Sequence, residues 1–356
     1  MRRINGYLRR AIVLPSLGVT VVLVALDALF AYVHELEFLS GGYGALEALQ
    51  FVLTTAPSRI YEFLPMGVLL GALLGLGLLA NSNELTVIRA VGVSTERISW
   101  MVLKPAIVLL LAGSLMGEFI APWAEQVARS QRSMAEGEGE VVAAKHGYWH
   151  REGHEFIYIN TVQPNGVLHG VTRYRFDGDS QRLLESQHVR RALYQAEAGH
   201  WVLQGIRGSR IGDDGVETYE RANDIWKTRL TPELLSIVIL EPKHLGIHKL
   251  YQYAQYLERQ GLQAGEYLLT FWQKLLRPLA TLGMVLIAIS FIFGPMREVS
   301  MGVRLTGGVA AGLLFHYGQQ FFGHLSLVFD ASPLMAALVP PVICMVLGVV
   351  LLRRVR

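Results

Sequence analysis

Cysteine is almost absent from this sequence of 356 residues. The single thiol, Cys344, lies inside an apolar run, so an internal disulfide framework and a thiolate metal cluster are both excluded. We interpret Cys344 as a small hydrophobe. Charge is also sparse, since only 17% of the residues are charged and the net charge is +3. The basic residues are dispersed and form no stripe, which argues against nucleic acid as a partner.

Motifs for nucleotide and metal binding are missing as well. No G-x-x-x-x-G-K-[ST] pattern occurs, so the chain cannot cradle a nucleotide by the P-loop mechanism. His150 and His154 are four residues apart but lack the H-E-x-x-H order, and the β-type pattern after them argues against a helix. His244 and His248 have the same spacing, with Gly246 between them and no third ligand nearby. We therefore predict no metal site and no cofactor in this chain.

Apolar residues, in contrast, are abundant. The chain is 52% hydrophobic with a mean hydropathy of +0.34, which is too apolar for a soluble two-domain enzyme and indicates a polytopic α-helical membrane protein. Six segments reach the roughly 20 residues that a ~30 Å hydrocarbon core requires. They are 11–33, 61–81, 101–122, 268–293, 303–327 and 333–352. The first is too long for a cleaved signal peptide and lacks an A-x-A site, so we predict an uncleaved signal anchor.

The distribution of arginine predicts the orientation of these spans. An even number of spans places both termini on the same side of the membrane. Every arginine cluster that flanks a span falls on that side: Arg2, Arg3, Arg9, Arg10, Arg89, Arg97, Arg297, Arg304, Arg353, Arg354 and Arg356. The positive-inside rule makes this the cytoplasmic side. The opposite connections, 35–60 and 330–332, carry more acidic than basic residues, which agrees with that orientation.

A short polar element between the second and third spans, at about 82–92, is the feature around which the chain is organised. Apolar residues recur in it at roughly helical spacing, Gly92 can stop the helix, and Ser94 can cap the next one. Such a helix on the cytoplasmic face, with an acid at its front and an apolar side, suits docking into a groove of a partner protein. The candidate docking residues are Glu84, Leu85, Ile88 and Arg89.

The composition changes between the third and fourth spans. Short alternating runs within about 141–230 are separated by turn sequences such as those at 164–166, 177–179 and 212–215. This spacing predicts a small antiparallel β-sandwich or jelly roll. Further on, Leu250, Tyr253, Ala254 and Leu257 form one helical stripe that leads back to the membrane. We therefore divide the chain into spans one to three (1–135), a β domain (136–245) and a connecting helix with spans four to six (246–356).

Small residues and polar residues within the spans indicate contacts. Gly67, Gly71 and Gly75 fall on one helical face, with similar pairs at 113 and 117 and at 308 and 312, so these faces should pack closely against other helices. That packing could lie within this chain or at a subunit interface. Asp27 is costly inside a span, by about 2.5–3.5 kcal/mol at mid-helix. It either makes a functional contact or lies close to the outer interface.

Span five carries polar and aromatic groups near its outer end, which favours a cavity wall over an interfacial aromatic belt. Lys274 and Arg277, near the outer end of span four, could hold anionic head groups or simply extend toward the interface. The candidate cavity residues are Asp27, Phe30, His34, Leu64, Val68, Lys274, Arg277, Tyr317, Gln320, Phe321 and Phe322.

Several long strings carry a family resemblance. They are Leu64-Pro65-Met66 through Leu79-Ala80, Asn83-Glu84-Leu85 through Gly92, Gly117-Glu118 with Ala121-Pro122 through Glu125-Gln126, Phe291-Ile292-Phe293-Gly294-Pro295 and Met301-Gly302-Val303-Arg304. On these residues the chain resembles, over nearly its whole length, the lipopolysaccharide export permeases of the LptF/LptG (YjgP/YjgQ) family, and within it the LptG type.

The resemblance implies a fold and a set of partners. Members have six spans and a periplasmic β-jellyroll domain after span three, and LptG pairs with the LptF permease. An LptB ATPase homodimer, which binds ATP and Mg, would drive the pair from the cytoplasm. LptC would add a single helix beside span one, and the periplasmic LptA bridge would accept the lipopolysaccharide for outer-membrane assembly. The chain would then be a multi-pass protein of the Gram-negative inner membrane.

The resemblance also assigns residues. The cytoplasmic element becomes the family's coupling helix, with Glu84 as its acidic residue, and spans one, two and five enclose the cavity for the lipid chains. One departure matters: family members often carry lysines near the outer end of span one, whereas His34, Glu35 and Glu37 stand here. Either Lys274, Arg277 or LptF then supplies positive charge for the substrate phosphates, or the head group of the substrate is held differently.

Two other functions are compatible with parts of the sequence. A membrane-embedded enzyme acting on lipid or cell-wall precursors could use Asp27 and Glu118 as acid and base, but it needs both carboxylates in one cavity. A scaffold or signalling subunit of an ATPase complex would share the docking helix and lack the cavity. We predict a permease subunit without an ATPase site of its own.

Overall fold

The computed structural model describes the chain apart from residues 1, 40–42, 138–147, 163–166, 179–181, 213–214, 229, 233–234, 236–240, 260–262, 294–299, 330 and 355–356. The turn predicted at 164–166 and the family-motif residues Gly294 and Pro295 therefore lie outside the described residues. Two compact units are present. The first comprises Met1–Phe30, Ala56–Pro122 and Leu245–Arg356, and the second comprises Ala31–Thr55 and Trp123–His244.

Ten α-helices lie in the described parts of the chain. They are α1 (Arg2–Glu35), α2 (Ala45–Thr54), α3 (Ala56–Asn81), α4 (Glu84–Ala90), α5 (Thr95–Leu115), α6 (Ala121–Gly137), α7 (Ile247–Arg259), α8 (Gly265–Phe293), α9 (Met301–Val328) and α10 (Pro333–Arg354). Among the described residues, five helical stretches are long and apolar enough to cross a membrane, in the regions of α1, α3, α5–α6, α8 and α10. The fifth predicted span is the continuous helix α9, whose 28 residues give about 42 Å of length, but its polar groups lower its hydropathy.

The predicted glycine face of α3 packs against α1 within this chain. A Cβ atom built on Gly67, Gly71 or Gly75 would overlap α1, at Thr20, Ser16 and Ala11 in turn. The other two glycine pairs are likewise occupied: Gly113 and Gly117 adjoin Leu64 and Tyr61 of α3, and Gly308 and Gly312 adjoin Leu73 and Met66. Because only glycine lets the backbones come this close, the small residues are explained by packing within the unit.

The connecting helix α7 matches its predicted stripe. The four residues of the stripe are the buried residues of the helix: Leu250, Tyr253, Ala254 and Leu257. Its spacing of three and four residues places one apolar face against the unit. Between α5 and α6 lies a π-helical turn, Met116–Ile120, a feature that the sequence pattern did not predict.

The second unit is built on one six-stranded antiparallel sheet. Its strands are β1 (Tyr148–Glu152), β2 (Glu155–Val162), β3 (Leu168–Phe176), β4 (Leu183–Gln195), β5 (His200–Gly212) and β6 (Gly215–Trp226). They pair in chain order, each with its sequence neighbours. The predicted antiparallel β domain is confirmed. Among the described strands the connectivity is that of a meander, in which strands adjacent in the chain are adjacent in one sheet.

Alternating side chains on the strands form the core of this unit. Ile157 and Ile159 of β2 are both fully buried, as the period of two along a strand requires. Trp201 of β5 is also fully buried, and its indole Nε1 donates a hydrogen bond to the carbonyl oxygen of Leu230 at 2.7 Å. The tryptophan therefore attaches the chain that follows the sheet to the sheet itself.

An ion pair outside the sheet connects the last residue of α1 to α6 within the second unit. The guanidinium of Arg132 lies 2.9 Å from the carboxylate of Glu35, and both side chains are largely buried. The hydroxyl of Tyr43 donates a second hydrogen bond to Glu35 at 3.0 Å. The rings of Phe38, Tyr43 and Phe51 surround the guanidinium at 5.2–5.6 Å. This Arg132 cluster includes α2, a helix that the sequence pattern did not predict in the 35–60 connection.

A histidine at the end of the second unit makes its stability pH-dependent. Burial lowers the pKa of His244 to about 4, against the opposing effect of Glu125, whose carboxylate lies 3.8 Å away. Arg129 and Lys243 lower this pKa further, and Glu241 raises it. The unfolded chain, with an ordinary pKa of about 6.5, therefore binds the proton more tightly than the folded chain does.

Between about pH 6.5 and pH 4 the unfolding free energy should thus fall as the pH falls, by about 3 kcal/mol in total. We expect His244→Gln to remove this part of the acid sensitivity. Thermal unfolding of the full chain in detergent at pH 7.5 and pH 4.5, followed by tryptophan fluorescence, measures it. His154→Gln, an exposed histidine of the same unit, is the control. An equal acid shift in wild type and His244→Gln would contradict the prediction.

Candidate functional site

The docking element predicted between spans two and three is the seven-residue helix α4. Asn83 precedes it in the left-handed conformation, with φ of 60°, which asparagine tolerates better than most residues. Gly92 follows it with φ of +90°, and the Ser94 side chain accepts a hydrogen bond from the backbone N–H of Arg97 at 3.4 Å. The predicted stop at Gly92 and cap at Ser94 are both confirmed. These two turns fix α4 between α3 and α5.

Glu84 is the first residue of α4, where the helix dipole favours a carboxylate. One of its oxygens accepts a hydrogen bond from the Tyr7 hydroxyl at 2.6 Å. The other accepts one from the Ser82 hydroxyl at 3.0 Å. The sequence pattern did not predict the contact with Tyr7, because 77 residues separate the two positions. Glu84 is therefore held in place by α1 and by the turn before α4.

One face of α4 packs against the core of the first unit, and the other face is exposed. Leu85 is buried and Ile88 packs against the same core of α1, α3 and α5 residues, while the guanidinium of Arg89 lies 5.9 Å from the ring centre of Phe293. Val87 and Val91 point outward, with 60% and 75% of their surface exposed. A helix this short with four apolar residues has no unique face in its sequence. Packing makes Leu85 and Ile88 its anchor. Glu84 and Val87 of α4, with Val91 just after its last residue, remain accessible.

The aromatic groups of α9 lie on an open surface. Tyr317 and Phe321 are each more than 60% exposed and Phe322 is partly exposed. Gln320, also exposed, lies 3.1 Å from the ring of His316. Phe30 of α1 is likewise exposed. This set of large apolar side chains, with one amide among them, can contact lipid chains or another helix.

Two of the predicted cavity residues lie inside the helix core. Leu64 and Val68 are buried within the first unit, since Leu64 fills the space beside Gly113. In sequence they resemble Leu78 of the same helix, which is exposed, because the part of α3 from position 63 to position 80 is apolar on all sides. Helix packing decides which of them are covered.

Asp27 forms an ion pair with Arg59 of α3, as well as a hydrogen bond. This pair balances the half-buried acidic charge in span one, for which the sequence pattern left two explanations. Arg59 was missed because it is 32 residues away. The position of Arg59, just before the predicted span 61–81 on the outer side, was the sequence signal that could have predicted this ion pair.

The three basic candidates have partners inside their own units. Lys274 is buried, and its Nζ donates a hydrogen bond to the carbonyl oxygen of Leu245 at 2.6 Å. The guanidinium of Arg277 lies 4.8 Å from the ring centre of Tyr61. In the second unit, His34 lies 3.5 Å from Glu37. Lys274 is thus turned toward the backbone, and Arg277 toward an aromatic ring.

Asp27 and Glu118, the acid–base pair of the enzyme alternative, have separate structural partners. Asp27 binds Arg59, whereas the Glu118 carboxylate accepts hydrogen bonds from the backbone N–H groups of Ile247 and His248 at 2.5 and 3.0 Å. Both carboxylates are therefore engaged in holding helices. This arrangement does not favour acid–base catalysis, which needs both groups directed at one reacting bond.

An apolar groove between α3, α8, α9 and α10 lies in the same unit. Leu69, Met284, Phe315 and Cys344 are among the residues that line it. The position of Cys344 in this lining is consistent with its interpretation as a small hydrophobe.

Comparison with known proteins identifies relatives along the whole chain. A family model described as "Lipopolysaccharide export system permease LptF/LptG" matches residues 6–354. A protein of Escherichia coli (strain K12) named "Lipopolysaccharide export system permease protein LptG" is 36% identical over 339 residues, which cover 95% of this chain and 94% of that protein. The protein of the same name from Haemophilus influenzae is 32% identical over 354 residues, or 99% of each chain.

Proposed function

Because this chain belongs to the lipopolysaccharide export system permease LptF/LptG family, we propose that it is the transmembrane permease subunit of an ATP-driven complex that extracts lipopolysaccharide from the inner membrane. The observation that carries the proposal is the match of residues 6–354 to that family, together with relatives of nearly equal length that are named as its LptG member. The chain is a transporter subunit and not a catalytic enzyme.

ATP hydrolysis is assigned to a partner. The sequence has no P-loop, and α4 offers a fixed carboxylate beside two exposed valines. An LptB homodimer, binding ATP and Mg, would receive α4 in a groove where a basic group meets Glu84 and an apolar floor meets Val87 and Val91. Closure of the ATPase would then move α3 and α5 together, because α4 is tied to both by short turns.

The remaining partners follow from the same proposal. An LptF permease would complete the cavity, LptC would add a helix beside α1, and the β domain would pass the lipid in the periplasm toward the LptA bridge. The clustered arginines support cytoplasmic termini and a periplasmic sheet. Conformational work by the motor must offset the burial free energy of the acyl chains, about 0.8 kcal/mol per CH₂.

The test is purification of the full chain from bacterial membranes, with mass identification of the proteins and lipid that accompany it. We expect an ATPase, a second permease and lipopolysaccharide, and ATP-dependent release of the lipid after reconstitution into proteoliposomes. The proposal is wrong if the isolated chain releases the lipid with no ATPase bound.

Phe321→Asp tests the α9 surface within the same assay. A carboxylate there should disfavour contact with acyl chains and reduce both lipid crosslinking to α9 and lipid release. The ~2.5–3.5 kcal/mol cost of an acid in apolar surroundings corresponds to a factor of roughly 70 or more. Leu347→Asp on α10, partly exposed in this chain, is the control for the general cost of inserting an acid. Unchanged crosslinking and release in Phe321→Asp would remove α9 from the cavity.

A further inference from the structure

Two side chains from different helices hold the backbone segment that precedes α7. Glu118 lies in the π-helical turn that follows α5. Its carboxylate accepts hydrogen bonds from the backbone N–H groups of the first two residues of α7, Ile247 and His248. From α8, the Lys274 ammonium donates to the Leu245 carbonyl at 2.6 Å. We call the contacts of Glu118 and Lys274 with residues 245–248 the α7 clamp.

The donors and acceptors of the α7 clamp match those of the backbone at residues 245–248. A carboxylate that accepts two backbone N–H groups at a helix N-terminus satisfies donors that the helix cannot satisfy itself, and such charge-assisted hydrogen bonds are the stronger kind. Gly246 permits the approach, because a Cβ atom there would lie 2.9 Å from the backbone oxygen of Glu118 and 3.1 Å from its carboxylate. Lys274 is buried, and a buried charged group is costly unless it is hydrogen-bonded. Its ammonium therefore needs the Leu245 carbonyl as an acceptor.

The position of Glu118 connects the clamp to the docking helix. Glu118 lies in the π-helical turn Met116–Ile120, which continues α5. α5 begins at Thr95, five residues after Ala90, the last residue of α4. From Thr95 to Glu118 a continuous helix rises about 1.5 Å per residue, or roughly 35 Å. The helix contains Pro105 but is continuous from Thr95 to the π-turn, so a displacement of α5 beside α4 is expected to reach Glu118. π-Turns within helices often mark functional positions.

We propose that Glu118 is a positioning residue for transport, which transmits the movement of α5 through the α7 clamp to α7 and, through Lys274, to α8. This inference rests on the proposed function, because it needs a motor that moves α4. It extends that function by assigning a joint at the opposite end of α5 from the docking helix. If the clamp is disrupted, the partner ATPase should still hydrolyse ATP, but less lipid should be released per ATP hydrolysed.

Glu118→Gln tests the joint in the reconstituted complex with the partner permease and the ATPase. Glutamine has one acceptor oxygen for two N–H donors. We expect amide hydrogen exchange in the peptide that contains residues 245–250 to accelerate roughly tenfold, which corresponds to about 1.4 kcal/mol. The ATPase rate should stay near wild type, while lipid released per ATP hydrolysed falls roughly threefold or more. Glu258→Gln makes the same change at an exposed site of α7 and should alter neither quantity.

Gly246→Ala is the second variant, since it displaces the segment without changing a charge, and Gly302→Ala, where a Cβ has open space, is its control. Glu118→Asp should restore part of the coupling ratio. Unchanged exchange in both Glu118→Gln and Gly246→Ala overturns the clamp. If exchange is faster but the amount of lipid released per ATP is unchanged, the α7 clamp only stabilises the fold and the transport role is wrong. The same conclusion holds if ATPase activity and lipid release fall by the same factor. Failure of the proposed function would look different, because the wild-type complex itself would then release no lipid with ATP.

Discussion

Replacing Glu84 with lysine is expected to stop lipid release by the reconstituted complex, while the chain still inserts in the membrane. The substitution reverses the charge at the first position of α4, where the helix dipole disfavours a cation by about 0.3–1 kcal/mol. It also removes the acceptor of the Tyr7 hydroxyl and places a positive charge against the basic group expected in the ATPase groove. Like charges at such a contact cost several kcal/mol, so release should fall by well over tenfold.

The measurement for Glu84→Lys combines three quantities: the amount of chain in the membrane, ATP hydrolysis and lipid release. Lipid release should be lost in the variant, with ATP hydrolysis no longer coupled to it, while the amount of inserted chain stays the same. Glu96→Lys reverses a charge in the first turn of the next helix, so it has the same helix-dipole cost and serves as the control. Wild-type release by Glu84→Lys would remove α4 as the docking element.

Arg132→Leu is expected to give the largest loss of stability. It would leave the buried Glu35 carboxylate without its cation and remove the group that the Phe38, Tyr43 and Phe51 rings surround. Removing one partner of a buried ion pair typically costs about 3–5 kcal/mol. Thermal unfolding of the full chain in detergent should show the second unit melting several degrees lower.

Arg207→Leu is the matched control for Arg132→Leu. Arg207 also has an ion-pair partner, Glu220 at 3.0 Å, but both side chains are more than 70% exposed. Exposed pairs contribute about 0.2–1 kcal/mol, so this variant should unfold close to the wild-type temperature. Equal melting of the two variants would show that the Arg132 cluster contributes no more than a surface pair.

Local signals in the sequence predicted most of the helical architecture. The apolar lengths of five spans, the stripe of α7, the stop at Gly92 and the cap at Ser94 all depend on residues within a few positions of one another. The alternating runs within about 141–230 likewise predicted the antiparallel β domain. β1, with Trp149, His150, Arg151 and Glu152, was missed because its residues are mostly polar, and it exists through its pairing with β2.

The roles of single charged side chains needed the tertiary structure. Asp27, Lys274 and Glu118 were each assigned to a cavity or to catalysis from their positions in apolar helices. Their partners, Arg59, the Leu245 carbonyl and the N–H groups of α7, lie 29 to 130 residues away, and no periodicity reports a contact over that distance.

The sequence by itself determined that this chain is a membrane protein with a β domain and a capped polar helix between two spans, because hydrophobic length, alternation and capping are short-range properties. Only the tertiary structure decided which face of α4 is accessible, that Leu64 and Val68 are covered, and that Glu118 and Lys274 bind a backbone segment. Those outcomes depend on which helices pack together. The sequence of a helix that is apolar on all sides does not indicate which face contacts another helix.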